Sequence, residues 1–492
     1  MAFKDIREFI TFLEERGELL RVSAEVDPYL EIGAFADKAS KQHGKALLFE
    51  NPKGHSMPVA INLMGSYDRM AWALGARGGH DCWSDLDEIA ERLMEMVPLD
   101  LPASLKGKLD ALMGLKDLAG LGAREVKGSK APVQQVVLQG DQVDLGELPV
   151  LTTWPGDGGP FITLPLVVTT GPDGGRPNVG MYRMQVFDRN TTGMHIHVHH
   201  DGAANMRAWE AAGHERMPVS VALGSDPATI FSATAPVPPM IDEYLFSGLL
   251  RGEPVEVVKC VTNDLLVPAH AEIVLEGHVR LGELRREGPF GDHTGYYSLA
   301  DDYPVFHVDA VTMREDAIYP TTIVGPPPME DCYMGKATER LFLPAIRAVL
   351  PEVVDYDLPL EGVFHNCAIF SIRKEYPGQA YRVMNAAWSL GQMMFTKFVI
   401  VVDEDVDPHD YSQVAWRCFN NVDPARDILV SKGPLDVLDH SSPFERFGAK
   451  MGIDATRPFP EEGHGREWPE SLEMPDEVLA RVEELWREAG LD

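Results

Sequence analysis

Three imidazoles in five residues make the densest chemistry in the chain, in the run Met194-His195-Ile196-His197-Val198-His199-His200-Asp201. Read as a strand, its period of two puts His195, His197 and His199 on one face and His200 on the other. A solvated strand rarely spends three imidazoles on one face, and imidazole is the commonest metal ligand, so at least one of them is expected to bind a ligand. The bland alternative is a set of solvated or internally hydrogen-bonded histidines. A second group is Arg176-Pro177-Asn178-Val179-Gly180-Met181-Tyr182-Arg183, where Asn178 and Arg183 open a strand. Taken alone, an Asn after a turn is structural. A third is Glu287-Gly288-Pro289-Phe290-Gly291-Asp292-His293-Thr294-Gly295-Tyr296-Tyr297. Gly and Pro stiffen this backbone around two carboxylates, as suits a loop that must aim its acids, although a polar turn with solvated acids would read the same. Glu243 follows Ala235-Pro236-Val237-Pro238-Pro239, and Lys397 precedes the apolar run 398–402; neither stands out by itself.

The elements that must position these residues fall into three stretches. Asp5 with Glu8 resembles a capping box, and Ile6, Phe9, Ile10 and Leu13 recur at helical spacing until Gly17. Leu47-Leu48-Phe49 predicts a buried strand closed by Asn51-Pro52, and helical patterns run through 84–96 and 105–119. This gives an α/β unit over 1–125. From 126 to 325 short β-rich runs alternate with Gly/Pro punctuation, with a hairpin expected from 163–170 and 178–187 and a further strand near 194–199. Such a pattern favours a barrel or sandwich. After Gly325-Pro326-Pro327-Pro328, an apolar run at 366–372, a helix at 378–391 and the unbroken run Phe398-Val399-Ile400-Val401-Val402 predict a parallel βαβ unit in a third domain, 326–470. A last helix within 471–492 puts Val478, Val482, Leu485 and Ala489 on one stripe, which would dock on a neighbouring domain or subunit or on the chain's own core.

Composition excludes several classes. With 44 Lys and Arg against 76 Asp and Glu the 492-residue chain carries a formal charge of −32, so its overall field repels nucleic acid and anionic lipid. One local anion pocket remains compatible with that field. No run of 18 apolar residues is present, and the charged start MAFKDIREFITFLEERGELL is unlike a signal peptide. Five scattered cysteines form no CxxC pair, which points away from a disulfide framework or cysteine zinc site and towards the cytoplasm.

The motifs "NVGMYRMQV", "PVSVALGSDPATI", "DEYLFSGLLRG", "EGPFGDHTGYY", "TKFVIVVDEDV" and "KMGIDAT", with "ALLFENPKG" and "REDAIYPTTIVGPPP", resemble the UbiD family of decarboxylases, which use prenylated FMN. The resemblance extends from residue 3 to beyond 460. It implies an α+β multidomain fold: a central split β-barrel that binds flavin, an N-terminal α/β domain and a C-terminal α/β domain through which the chain self-associates as a dimer or hexamer. It implies that Asn178, His199 and Glu243 hold a divalent metal, usually Mn²⁺, that bridges to the cofactor phosphate. Hard oxygens plus one imidazole suit Mn²⁺ or Mg²⁺. It also implies a K⁺ site on backbone oxygens around Ser232, Ala233 and Ala235, a phosphate contact from Lys397, and cofactor contacts from Met181, Tyr182, Arg183, His195, Ile196, His197, His200 and Asp201.

By the same resemblance Arg183, Glu287 and Asp292 form the catalytic network. Two acids beside one guanidinium should titrate as a coupled set. Decarboxylation needs a proton at the carbon the carboxylate leaves; Asp292 is expected to donate it, with Glu287 and Arg183 setting its pKa. The implied reaction is reversible, non-oxidative decarboxylation of an aromatic acid in quinone biosynthesis, of the 4-hydroxy-3-polyprenylbenzoate type, with a flavin prenyltransferase supplying the cofactor and at most peripheral membrane association. One region departs: ubiquinone-pathway members would carry Arg-Trp-Leu where this chain has His195-Ile196-His197. "TTGMH", "FHNCAIFSI" and "ATERLFLPAI" look closer to menaquinone-pathway decarboxylases. Two other classes compete. A metal hydrolase would use the His195/His197 pair, but at the first strand of a regular eightfold βα barrel rather than inside a β-rich region. A non-catalytic scaffold would be expected to have lost Arg183, Glu287, Asp292 or Lys397.

Overall fold

A computed structural model describes residues 2–80, 82–96, 120–196, 201–237 and 241–491. The helical pattern at 105–119, the prolines Pro238 and Pro239, and His197, His199 and His200 lie outside the described residues.

Helix α1 (Ile6–Glu15) starts where the capping signal puts it. Asp5 accepts a 3.0 Å bond from Glu8 N, while the Glu8 carboxylate takes Lys4 N at 2.6 Å, one residue earlier than a capping box would have it. Its buried face is Ile6, Phe9, Ile10 and Leu13, and burial of each such side chain contributes about 1.5–3 kcal/mol. Strand β1 (Leu19–Val26) pairs in parallel with β2 (Ala46–Pro52), which pairs antiparallel with β3 (Val59–Ile61). Tyr319–Pro320 adds the fourth strand of this sheet, so the chain returns here after the central domain. Helix α2 (Asp85–Met96) fulfils the second helical pattern. Arg7 clamps this domain to the central one, both Nε and Nη2 reaching the buried Glu272 carboxylate at 2.7 Å.

The central domain is built on a seven-stranded antiparallel sheet. Its strands are β4 (Val136–Gln139), β5 (Leu166–Thr169), β6 (Asn178–Gly180), β7 (Thr191–Gly193), β8 (Arg216–Leu223), β9 (Ile273–Glu287) and β10 (Asp301–Met313). Their order is β7-β10-β9-β8-β5-β6, with β4 also paired to β10. The edge strands β6 and β7 are not paired with each other among the described residues, so the ladder is open there. Short strands are joined by two long ones, β9 of 15 residues and β10 of 13, which composition did not announce. The expected hairpin exists as β5 against β6 around Gly174 and Gly175, both at positive φ. Its second arm stops at Gly180, and Met184–Gln185 pair instead with Phe161–Ile162.

The strand expected near 194–199 is corrected over 194–196, the part of it within the described residues. The strand is β7, which ends at Gly193. Met194 N still reaches Pro304 O at 3.0 Å, but Ile196 N then turns back onto Met194 O at 2.7 Å, and this three-residue turn ends the ladder. The alternation argument for the histidine faces therefore fails at its first residue.

Helix α3 (Glu243–Arg251) packs beside the central sheet. Helix α4 (Glu330–Val349) leads into the C-terminal sheet, which is β11 (Val353–Asp357), β12 (Cys367–Ile372), β13 (Phe398–Asp403), β15 (Phe447–Asp454) and β14 (Ile428–Pro434) in spatial order. Strands β12 and β13 are parallel and helix α5 (Gln379–Ala387) connects them, so the βαβ reading holds. Helix α6 (Asp476–Glu488) has no buried residue: Val478, Val482 and Leu485 are 41, 45 and 44% exposed, and its stripe docks on nothing within the described chain.

Helix α4 meets β11 through a buried charge cluster. The Lys336 ammonium lies between Glu339 (2.6 Å) and Asp357, and His409 reaches Asp357 at 2.8 Å and Asp355 at 3.3 Å. Glu339, Asp357 and His409 could in geometry hold a cation, but Lys336 already supplies the positive charge there. Against burial, which pulls it down, hydrogen bonds to Asp355 and Asp357 push His409 up to about 9. A group raised in the folded state stabilises fully below its unfolded value of about 6.5 and loses that contribution as pH rises through the folded one. The urea midpoint of the wild type is therefore expected to fall between about pH 6.5 and 9, and His409→Asn to flatten that fall. Parallel pH profiles for the two proteins would refute the assignment.

Candidate active site

Strand β6 and the segment after it bring two clusters close in sequence. The first is centred on Glu243. Asp242 caps α3, accepting from Leu245 N at 2.8 Å, which presents Glu243 at the first helical residue towards β6. The Glu243 carboxylate accepts from Val179 N at 2.9 Å and from Asn178 Nδ2 at 3.4 Å, and Tyr182 Oη donates to Asn178 Oδ1 at 3.3 Å. Gly180 permits this: a Cβ there would sit 2.2 Å from Tyr182 Oη. Burial pushes Glu243 up to about 7, with Asp242 and Asp201 adding to the rise. A buried carboxylate with further acids around it calls for a cation, and a carboxylate and an amide oxygen are hard donors suited to Mn²⁺ or Mg²⁺. The residues present therefore fit a divalent metal. Of the residues assigned to K⁺ by resemblance, Ala233 accepts from Met181 N at 3.2 Å and Ala235 O from Val237 N at 2.8 Å, which sets these carbonyls beside the start of the Met181–Arg183 segment.

Asp242→Ala is expected to cost about 1 kcal/mol, the usual value of an N-cap, and to loosen Glu243. Urea titration reads the first effect and metal content of purified protein the second. Glu243→Gln, which keeps shape and removes the charge, should lose the metal with little change in the urea midpoint; full metal occupancy in both variants would remove Glu243 from the ligand set.

The second cluster surrounds Arg183, whose side chain is 10% exposed. Its guanidinium contacts Glu287 through Nε at 3.3 Å, Asp292 through Nη1 and Ser298 Oγ through Nη2 at 3.1 Å. The ring of Phe290 lies 4.6 Å beneath its Cζ. Glu287 ends β9 and Asp292 follows the cis Gly288-Pro289 bond, so the stiff loop does aim both acids at one cation. His195 Nδ1 sits 2.9 Å from Glu287 Oε1, and its ring packs at 4.1 Å from that of Tyr303. Gly193 leaves room for the acid: a Cβ there would lie 2.6 Å from Glu287 Oε2.

The two acids differ in charge state. Burial pushes Glu287 up to about 7 despite Arg183. Burial also pushes Asp292 up, but Arg183 and His293 together hold it well below the usual carboxylate range. At neutral pH Asp292 is ionised, while Glu287 is divided between its charged and protonated forms. Opposed shifts on neighbouring acids are how one site keeps both a proton and a charge available.

The structure thus brings Asn178, Tyr182 and Glu243 together, and Arg183, Glu287, Asp292 and His195. Lys397 stands elsewhere: it pairs with Asp439 at 2.7 Å and Ser441 at 2.5 Å in the C-terminal domain. Ile196 is buried in the central core and Asp201 opens an exposed helix. Spacing did not single out Ser298, Phe290 or Tyr303 around Arg183. Nor did it single out His293, which takes Asp292 Oδ1 at 2.8 Å.

Three family models match the chain: the N-terminal, Rift-related and C-terminal domains of 3-octaprenyl-4-hydroxybenzoate carboxy-lyase, over residues 10–93, 124–327 and 332–455. An uncharacterized protein of Archaeoglobus fulgidus is 48% identical over 489 residues, 99% of both chains, and one of Aquifex aeolicus 46% over 494, 100% and 99%. Vanillic acid decarboxylase of Sedimentibacter hydroxybenzoicus in closed form has a TM-score of 0.87 at 32% identity over 99% of both chains, and in open form 0.79. The UbiD-class enzyme HmfF of Pelotomaculum thermopropionicum, solved in complex with FMN, has a TM-score of 0.79 at 31% identity over 96% of this chain and 97% of that one. Fold and site define a multidomain carboxy-lyase. The chain belongs to the UbiD family of decarboxylases.

Proposed function

We propose that the protein catalyses reversible, non-oxidative decarboxylation of an aromatic carboxylic acid with prenylated FMN and a divalent metal, Mn²⁺ or Mg²⁺. The observation that carries the reading is the Arg183 guanidinium held between the buried carboxylates of Glu287 and Asp292. Support also comes from the vanillic acid decarboxylase neighbour and from HmfF bound to FMN. Asn178, Glu243 and His199 would hold the metal, with K⁺ on the carbonyls near Ser232, Ala233 and Ala235. Lys397 would be the phosphate contact only after leaving Asp439. When bound, prenylated FMN supplies an electrophile and a sink for the electron pair that departing carbon dioxide leaves. The chain's residues bind and orient the acid and move the proton: Arg183 faces the substrate carboxylate's charge, and Asp292 hands over the proton under the influence of Glu287.

The substrate we favour is a 4-hydroxybenzoate bearing a 3-polyprenyl chain, in quinone biosynthesis; a bicyclic naphthoate of menaquinone synthesis is the second reading, favoured by His195-Ile196-His197 and the flanking motifs. The hydrolase alternative calls for a regular eightfold βα barrel, whereas His195 lies beside an antiparallel sheet. We take the chain to be a homo-oligomer, dimer or hexamer, in the cytoplasm, matured by a flavin prenyltransferase; no described helix is long and apolar enough to cross a membrane.

The test is protein co-expressed with a flavin prenyltransferase. It should carry a flavin of the prenylated mass and release carbon dioxide anaerobically from one member of a panel: 3-prenyl-4-hydroxybenzoate, 1,4-dihydroxy-2-naphthoate, vanillate and 3,4-dihydroxybenzoate. Colourless protein, inactive on all four after verified maturation, would sink the proposal.

A further inference from the structure

Each decarboxylation of a carboxylate draws one proton from solvent, because the electron pair left on carbon must be protonated. Asp292, the group placed to deliver it, is buried and ionised, so a route to solvent has to exist. We propose that His293 and His365 form a proton relay across the boundary between the central and C-terminal domains, recharging Asp292 once per turnover; the proposal rests on the decarboxylase reading above.

The geometry is a continuous chain. His293 Nδ1 lies 2.8 Å from Asp292 Oδ1, and His293 Nε2 lies 2.7 Å from His365 Nε2. His293 sits in the loop after β9, while His365 precedes β12, so the second bond crosses between domains. Phe364 stacks on the His293 ring at 5.3 Å and fixes its plane. His365 Nδ1 is buried with no hydrogen-bond partner among the described residues, an arrangement with a cost unless the atom is used. The charged groups that face the pair are Asp292 with Arg183, Asp331 on α4, and Asp436 and Asp439 in the loop after β14, the last paired with Lys397.

A carboxylate only accepts, so Nδ1 of His293 carries a hydrogen. One hydrogen lies between the two Nε2 atoms, and the relay uses the tautomer in which His365 donates it. His293 releases its Nδ1 proton to Oδ1 of the ionised Asp292 while its Nε2 takes the Nε2 proton of His365, and Asp292, now protonated, gives a proton to the carbon that carbon dioxide has left. His365 takes another from water at Nδ1. One proton enters at His365 and one passes through Asp292 to the substrate carbon; each ring stays neutral with its hydrogen moved to the other nitrogen, and a turn of each ring out to water, which trades that hydrogen back, restores the start. Asp292 raises His293 against burial, while burial and the neighbouring ring push His365 down to about 4.

His293 and His365 are thus relay and positioning residues, since neither need touch substrate. In flavin-loaded, full-length His365→Ala, kcat on the panel acid turned over by the wild type should fall by about 10-fold, less than the ~10²-fold of a direct proton donor. KM and flavin content should hold, the loss should grow with pH, and added imidazole should restore rate by filling the vacated space. His365→Gln, which keeps bulk without relaying, should show the same loss without rescue. A second arm needs no turnover: ¹⁵N-histidine spectra of the full-length protein should show His293 titrating differently once His365 is gone. An unchanged rate in His365→Ala, a loss that imidazole and pH do not affect, or an unmoved His293 titration overturns the relay. An inactive wild type instead overturns the decarboxylase reading.

Discussion

Asp292→Asn should slow the flavin-loaded enzyme by about 10²-fold or more, the usual scale for loss of a general acid, while flavin and metal contents stay near normal. The amide keeps the shape of the side chain and can still meet Arg183, but has no proton to give. The contents should hold because Asp292 touches Arg183 and His293, not Glu243 or Asn178. Glu287→Gln should also be slow, through the charge it imposes on its neighbour, so the two losses should not add. Because Glu287 titrates at about 7, the wild-type rate should change across neutral pH, and that inflection should vanish in Glu287→Gln. A fully loaded Asp292→Asn enzyme at near-normal rate would move the donor role to Glu287, the acid that titrates at about 7.

Arg183→Met should lose stability as well as activity. The guanidinium is the positive charge shared by two buried carboxylates, and deleting one partner of a buried ionic network typically costs about 3–5 kcal/mol. For a domain of this size that corresponds to a fall in melting temperature of roughly 10 °C. Asp292 loses its main stabilising charge, so its protonation should track upward and the melting point of the variant should rise as pH is lowered towards 5. Arg183→Lys should recover part of the stability and little of the rate, since a point charge cannot reach Glu287, Asp292 and Ser298 together. A melting temperature within a degree or two of wild type would contradict the buried network.

Local pattern made a good part of this visible. Helix α1 declares itself by a cap and four apolar residues, the βαβ unit by an unbroken apolar strand, and the acid loop by Gly and Pro around Glu287 and Asp292. What stayed hidden depends on contacts between distant segments. His195 looked like a face-sharing ligand until the turn at Met194–Ile196 sent it to Glu287, 92 residues away. Lys397 matched a phosphate-binding motif, yet its resting partner Asp439 is 42 residues on and carries no signal of its own. His293 and His365 meet across 72 residues, and the Lys336 cluster joins a helix to a strand and a loop. The stripe on α6 was read correctly as apolar, but periodicity does not say what an apolar face meets.

The central claim is that this chain delivers a solvent proton to the carbon a carboxylate has left. It is tested most directly by running the flavin-loaded wild type and Asp292→Asn in D₂O with the panel acid that the wild type consumes, and reading product by mass and NMR. The account predicts one deuterium at the vacated ring carbon for each carbon dioxide released, with the same enzyme exchanging that ring hydrogen in isolated product, and both rates depressed together in Asp292→Asn. Carbon dioxide release without deuterium at that carbon, or exchange that is indifferent to Asp292, would contradict it.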